Sequence, residues 1–183
     1  GNFFNTNYIP SMQIIVKEYG AVISDYWYAC LDNDLFPEIA IGRFPASNKE
    51  ELEQIVNKSI YHINRNVETW DNNILYIGGL EKDFKVQSEL LLRGWVDRGY
   101  FISRLYIDIS SEQTSFYGST DSLLQHLNRG LSYINFVGHG GGAVWGDRSL
   151  LGHSDIENIS NANKLPFVTS MTCFTGDYSN PRS

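Results

Sequence analysis

Cysteine is scarce in this chain: of 183 residues only Cys30 and Cys173 carry a thiol. Two such groups build neither a closed zinc site nor a disulfide framework, so two free thiols are the expectation. Long apolar runs are missing as well, and no stretch reaches the roughly 18 apolar residues that would cross a membrane. There is no cluster of Lys and Arg to follow a phosphate backbone, and with a net charge of -7 and a pI near 5.0 nucleic acid is a poor partner. Internal repeats and low-complexity tracts are lacking. No basic-then-apolar leader opens the chain, which starts abruptly at Gly1-Asn2-Phe3-Phe4 and reads there as a boundary or a processed end.

What is present is a globular composition, 42% hydrophobic and 19% charged, of a length for one domain or slightly more. Aromatic residues gather near the amino end, at Phe3, Phe4, Tyr8 and Tyr26-Trp27-Tyr28, where rings ordinarily fill a core or a seam. Residues 1–45 read as a strand-and-loop-rich subdomain, with strands at Gln13 to Val16, Ala21 to Ile23 and Glu38 to Gly42. Asp25, Asp32 and Asp34 lie in an acidic turn between them. Ser47 with Glu50 forms a capping box that predicts a helix through about Asn64, its apolar face carried by Leu52, Ile55, Val56, Ile60 and Ile63.

Residues 46–183 read as an α/β subdomain. Strands are predicted at Ile74 to Ile77, Phe101 to Ile107, Tyr133 to Val137 and Phe167 to Met171. Helices are predicted at Val86 to Arg98, with Leu90, Leu91 and Trp95 inward, at Ser119 to Asn128, and briefly near Ser154 to Ile159. Alternation of this kind predicts a mostly parallel sheet with helices on both faces. In such sheets the working groups lie beyond the carboxyl ends of the strands. There the sequence puts Glu81, His139 within Gly138-His139-Gly140-Gly141-Gly142, and Cys173 after Thr172.

A thiolate nucleophile needs a base to take its proton, and His139 and Cys173, 34 residues apart, leave room for one crossover between neighbouring strands. The N–H groups of Gly140 and Cys173 would serve as oxyanion donors. Against this stand plainer readings: a flexible glycine turn, and a small buried cysteine of the kind Cys30 represents. His153 is a competing base. His62 and His126 fall within helices and carry no such assignment.

The run Tyr133-Ile134-Asn135-Phe136-Val137-Gly138-His139-Gly140, then Trp145-Gly146, Asn163 to Phe167, and Thr172-Cys173-Phe174-Thr175-Gly176-Asp177 resembles the active-site signature of the gingipain family of cysteine peptidases. Upstream, Ser24-Asp25 through Asp32, and Pro37 to Arg43 ahead of a Glu-rich helix, resemble it too. The resemblance implies a caspase-like fold, endopeptidase action through His139 and Cys173 on protein or peptide substrates, and Glu81 as the acid that orients the imidazole. It also implies that further strands follow the cysteine, so the fold is expected to be incomplete on the C-terminal side and to need the rest of its own polypeptide. Asp83, Lys85 and Trp145 become candidates to line the substrate pocket, Lys85 being unfavourable to an arginine side chain. No cofactor is required, and a structural calcium would find oxygen ligands in Asp25, Asp32 and Asp34. Secretion or a cell-envelope location follows from the resemblance alone. Alternative readings are an inactive scaffold domain on the same fold and a sorting-signal peptidase or transpeptidase like the one in type IX secretion.

Overall fold

β-Branched residues at Ile14, Ile15, Val16, Val22 and Ile23 favour extended backbone, and in the computed structural model they form an antiparallel hairpin. The structure describes residues 9–18, 20–32, 34 and 36–178. Strand β1 (Met12–Val16) pairs with β2 (Gly20–Ser24), and Gly20 at φ +73° lets the chain reverse. A single 3-10 turn, Tyr26–Ala29, follows. Tyr26 and Trp27 remain exposed rather than filling a core, while Phe3, Phe4 and Tyr8 lie outside the described residues.

The strand expected at Glu38 to Gly42 does not form. Glu38 turns that segment back on the preceding loop instead: its N–H donates to the Ala29 carbonyl at 2.9 Å and its carboxylate accepts the Leu31 N–H at 2.5 Å. Helix α1 spans Lys49–Asn64, with a cap one residue later than the sequence implies. The Asn48 side chain accepts the Glu51 N–H at 2.8 Å, and Glu51 reaches back to the Ser47 N–H at 2.7 Å. No residue of α1 is buried.

Residues 1–60 and 61–183 form two compact units. The second is built on β3 (Asn73–Gly78), α2 (Lys82–Leu92), β4 (Phe101–Tyr106), α3 (Thr120–Arg129) and β5 (Tyr133–Val137). The short strands β6 (Gly140–Gly141), β7 (Val144–Trp145) and β8 (Leu151–Gly152) follow, and then β9 (Phe167–Met171). β4, β3, β5 and β9 lie side by side in that order, each pair parallel.

The two-residue period of a strand sends neighbouring side chains to opposite faces. Leu75, Ile77, Ile134 and Phe136 therefore pack with Leu123 and Leu127 of α3. Ile74 and Tyr76 pack with Leu92 of α2, which gives the helix-covered two-faced sheet that was expected. Helix α2 starts at Lys82, ends at Leu92 and leaves Leu90 and Leu91 exposed, contrary to the predicted Val86 to Arg98. Its buried side carries Ser88, whose hydroxyl donates to the Ile77 carbonyl at 3.0 Å, so a polar residue stands where the hydrophobic period was sought. Among the described residues no helix is long and apolar enough to cross a membrane.

Candidate active site

Three adjacent strands deliver the three candidate groups to one rim. Gly78 of β3 pairs with Val137 of β5, and Val137 pairs with Met171 of β9. His139 and Cys173 each lie two residues beyond a paired position, so they leave neighbouring strands at equal height, with about 5 Å between strand axes. The loops they begin are in contact: a Cβ on Gly140 would stand 2.4 Å from Thr172 Oγ1 and 2.6 Å from the Cys173 carbonyl oxygen. Only a glycine fits there. Cys173 is exposed and free; Phe174 after it takes φ 63°, and the Thr175 N–H returns to the Cys173 carbonyl at 2.9 Å. This reversal takes the chain out of the sheet directly after the thiol. Cys30 is also free, with its Sγ 3.7 Å from the Tyr26 carbonyl oxygen.

His139 Nε2 lies 3.0 Å from Glu81 Oε1. A proton held on Nε2 by the carboxylate leaves Nδ1 as the basic nitrogen of the neutral ring. The hydrogen bond to Glu81 raises the imidazole pKa above its ordinary value; desolvation works against this, and the charges of Asp147 and Glu81 add to the rise. The Phe84 ring meets the imidazole edge-on, with centroids 5.0 Å apart. Glu81 is the residue before the first turn of α2, which brings Phe84 to the histidine.

The other sequence candidates fall elsewhere. Asp83 is exposed in the first turn of α2. Lys85 turns away from solvent: its ammonium donates to Ser111 Oγ at 2.8 Å, and Ser111 in turn donates to the buried Asp108 at 2.5 Å. Trp145 lies flat on Phe136, 4.7 Å between centroids, and closes one side of the core. Asp25 is not with the other two acids, because both its oxygens bind Arg43, at 2.5 and 2.7 Å. Glu38 takes that place: ligand oxygens of Asp32, Asp34 and Glu38 lie within 4.8 Å of one another on an exposed turn. His153 opens a 3-10 helix after β8, His62 is exposed on α1, and burial together with Arg129 lowers the pKa of His126.

Two neighbours of the imidazole escaped the sequence reading, Phe84 and Asp147. Asp147 directly follows Trp145-Gly146, and Trp145 pairs with Gly140 across β6 and β7. Its Oδ2 accepts the Leu80 N–H at 3.2 Å.

Comparison with known proteins gives the family and the fold. The model of peptidase family C25 matches residues 1–183. Gingipain R2 of Porphyromonas gingivalis is 27% identical over 156 residues, covering 80% of this chain and 20% of that protein. Lys-gingipain W83 of the same species is 27% identical over 159 residues, covering 85% of this chain and 9% of the relative. The chain thus spans a fifth or less of the length of these relatives. Among solved structures, the crystal structure of the Arg-specific cysteine proteinase gingipain R superposes with a TM-score of 0.74 at 25% identity, over 87% of this chain and 38% of that one. Matched along its whole length by the family model and superposable on a gingipain, the chain belongs to peptidase family C25, the family of the gingipains, and has a caspase-like fold.

Proposed function

We propose that this chain supplies the nucleophile and the base of a cysteine endopeptidase, Cys173 and His139. The observation that carries the reading is the register of β5 against β9, which brings the two loops to the same height and into contact. His139 takes the thiol proton, the thiolate attacks the scissile carbonyl, and the imidazolium then protonates the departing amine. Water resolves the thioester with His139 again acting as base. The N–H groups of Gly140 and Cys173 are the donors for the oxyanion of each tetrahedral intermediate. Glu81 orients the ring and stabilises its charged form, which the raised pKa of His139 supports.

The substrates are proteins or peptides. Of the three pocket candidates Asp83 is the one whose side chain stays open to a substrate, since Lys85 is engaged with Ser111 and Trp145 lies on Phe136. The rest of the same polypeptide completes the pocket, and the relatives named above support an extracellular or envelope setting. A structural calcium, where bound, would be held by Asp32, Asp34 and Glu38, whose carboxylates suit a cation that takes oxygen ligands, and it would take no part in peptide hydrolysis.

The test uses the full polypeptide and fluorescein-labelled casein. Cys173→Ala is expected to abolish turnover, His139→Ala to lower it at least about a thousandfold, and iodoacetamide to inactivate the enzyme. Undiminished hydrolysis by Cys173→Ala would overturn the assignment. A Cys173 that alkylates as an ordinary thiol, in a protein without turnover, would favour a scaffold role.

A further inference from the structure

Glu81 and His139 are both more than half exposed, at 61% and 54% of their side chains. An ion pair so open to water holds two mobile side chains together only weakly. The segment that delivers Glu81 therefore needs an anchor of its own, and the structure supplies one from 67 residues further along the chain. Asp147 Oδ2 accepts the Leu80 N–H at 3.2 Å and lies over Gly79, 3.3 Å from where a Cβ would stand. Leu80 directly precedes Glu81.

The turn that holds Asp147 is itself tightly built. Gly146 packs against the His139 backbone so closely that a Cβ there would lie 2.0 Å from the His139 carbonyl oxygen. Arg148 and Ser149 both take left-handed backbone, φ 58° and 50°, and the Ser149 N–H closes the turn on the Gly146 carbonyl at 2.9 Å. Two non-glycine residues in that region mark a conformation imposed by its surroundings. Arg148 donates to the Tyr117 hydroxyl and pairs with Glu112 at 3.7 Å. The turn is thus tied on one side to the histidine and on the other to the loop after β4.

We propose that Asp147 is a positioning residue: by holding the Leu80 N–H it fixes the segment that presents Glu81 to His139, and it sets a second negative charge beside the imidazole. This rests on the reading of Cys173 and His139 as nucleophile and base. Asp147 touches no reacting atom and acts through Glu81 and through its field. Among the described residues the charged groups that bear on the His139 imidazole are Glu81 and Asp147, and the Phe84 ring meets it edge-on.

The full polypeptide tests this, with a quenched peptide built on a site that the wild type cuts in casein. Asp147→Ala is expected to lower kcat about tenfold, the equivalent of ~1.4 kcal/mol, with KM held within about twofold. In a Glu81→Gln background the same substitution should cost almost nothing more, because the two act as one unit. Asp147→Asn keeps an oxygen for Leu80 and removes the charge. It should retain most of kcat at the optimum while the alkaline limb of kcat/KM moves to lower pH, a displacement that a merely structural residue would not cause. Fully additive losses, a raised KM with unchanged kcat, or an unmoved alkaline limb would each overturn the proposal. Cys173→Ala separates the two layers: if it still turns over, the underlying reading fails, whereas if it is dead and the Asp147 series shows no coupling, only this proposal fails.

Discussion

An imidazole open to water titrates near pH 6.5 unless a charge is held against it, and at His139 the charge is Glu81. Glu81→Gln should therefore lower the His139 titration midpoint, read by NMR in a Cys173→Ala background so that the thiol does not intrude. The sign for stability follows from the same raised pKa. The pair stabilises the fold at pH values below the unfolded histidine pKa, and this contribution is lost as pH rises through the folded value. Melting temperatures of wild type and Glu81→Gln are thus expected to differ near pH 5 and converge near pH 9. A midpoint unchanged by the substitution would mean that Glu81 is not what raises His139. Gly140→Ala makes a second residue-scale test. Its methyl group meets Thr172 and the Cys173 carbonyl at less than 3 Å, so the two loops must part. Turnover should fall by roughly a hundredfold or more, since misplacement of about 1 Å has that effect on a reacting pair, while the thiol remains open to iodoacetamide. The placement of Glu81, His139 and Cys173 beyond strand ends was readable in the sequence because each follows a short strand-forming run. Asp147 was not, because it reaches Leu80 through a left-handed turn that no periodicity announces.

Strands placed these groups, and one strand pair matters most. β5 and β9 are joined by their ladder and also by side chains: Thr169 Oγ1 lies 2.8 Å from Oδ1 of Asn135, its partner directly across the register, and 2.7 Å from the hydroxyl of Tyr133, two residues earlier in β5. Asn135 is buried, so removing its partner leaves an amide oxygen poorly satisfied. Thr169→Val preserves the shape and deletes the hydroxyl. A loss of about 1–3 kcal/mol is expected, seen as a melting temperature lower by several degrees in calorimetry. An unchanged melting temperature would show that the bridge contributes nothing. β5 was legible from the sequence because it is a short apolar run ending at Gly138, and β9 because Phe167-Val168-Thr169 carries aromatic and β-branched residues directly after Pro166. Helix α2 was less so, since Lys85 and Ser88 stand on the side that the apolar residues were expected to occupy. The strands β6, β7 and β8 are two residues long, below the length at which alternation carries a signal.

For the molecule as a whole, the sheet has one edge of consequence. Among the described residues β9 is the last strand in the order and has no strand on its outer side, and its Phe167, Val168 and Met171 are 69%, 41% and 57% exposed. An apolar strand edge of this kind is a template for pairing with another chain. The 183-residue chain covers only 20% of gingipain R2. In isolation the chain should therefore self-associate as its concentration rises through the micromolar range, and sedimentation velocity would record dimers or larger species. Val168→Lys puts a charge on that strand and should return the chain to monomer without unfolding it. A polypeptide extended beyond Ser183 should stay monomeric at the same concentrations, because added strands would occupy the edge. A wild-type chain that sediments as a monomer throughout would show that the edge is already protected. An association indifferent to Val168→Lys would move the contact to another surface.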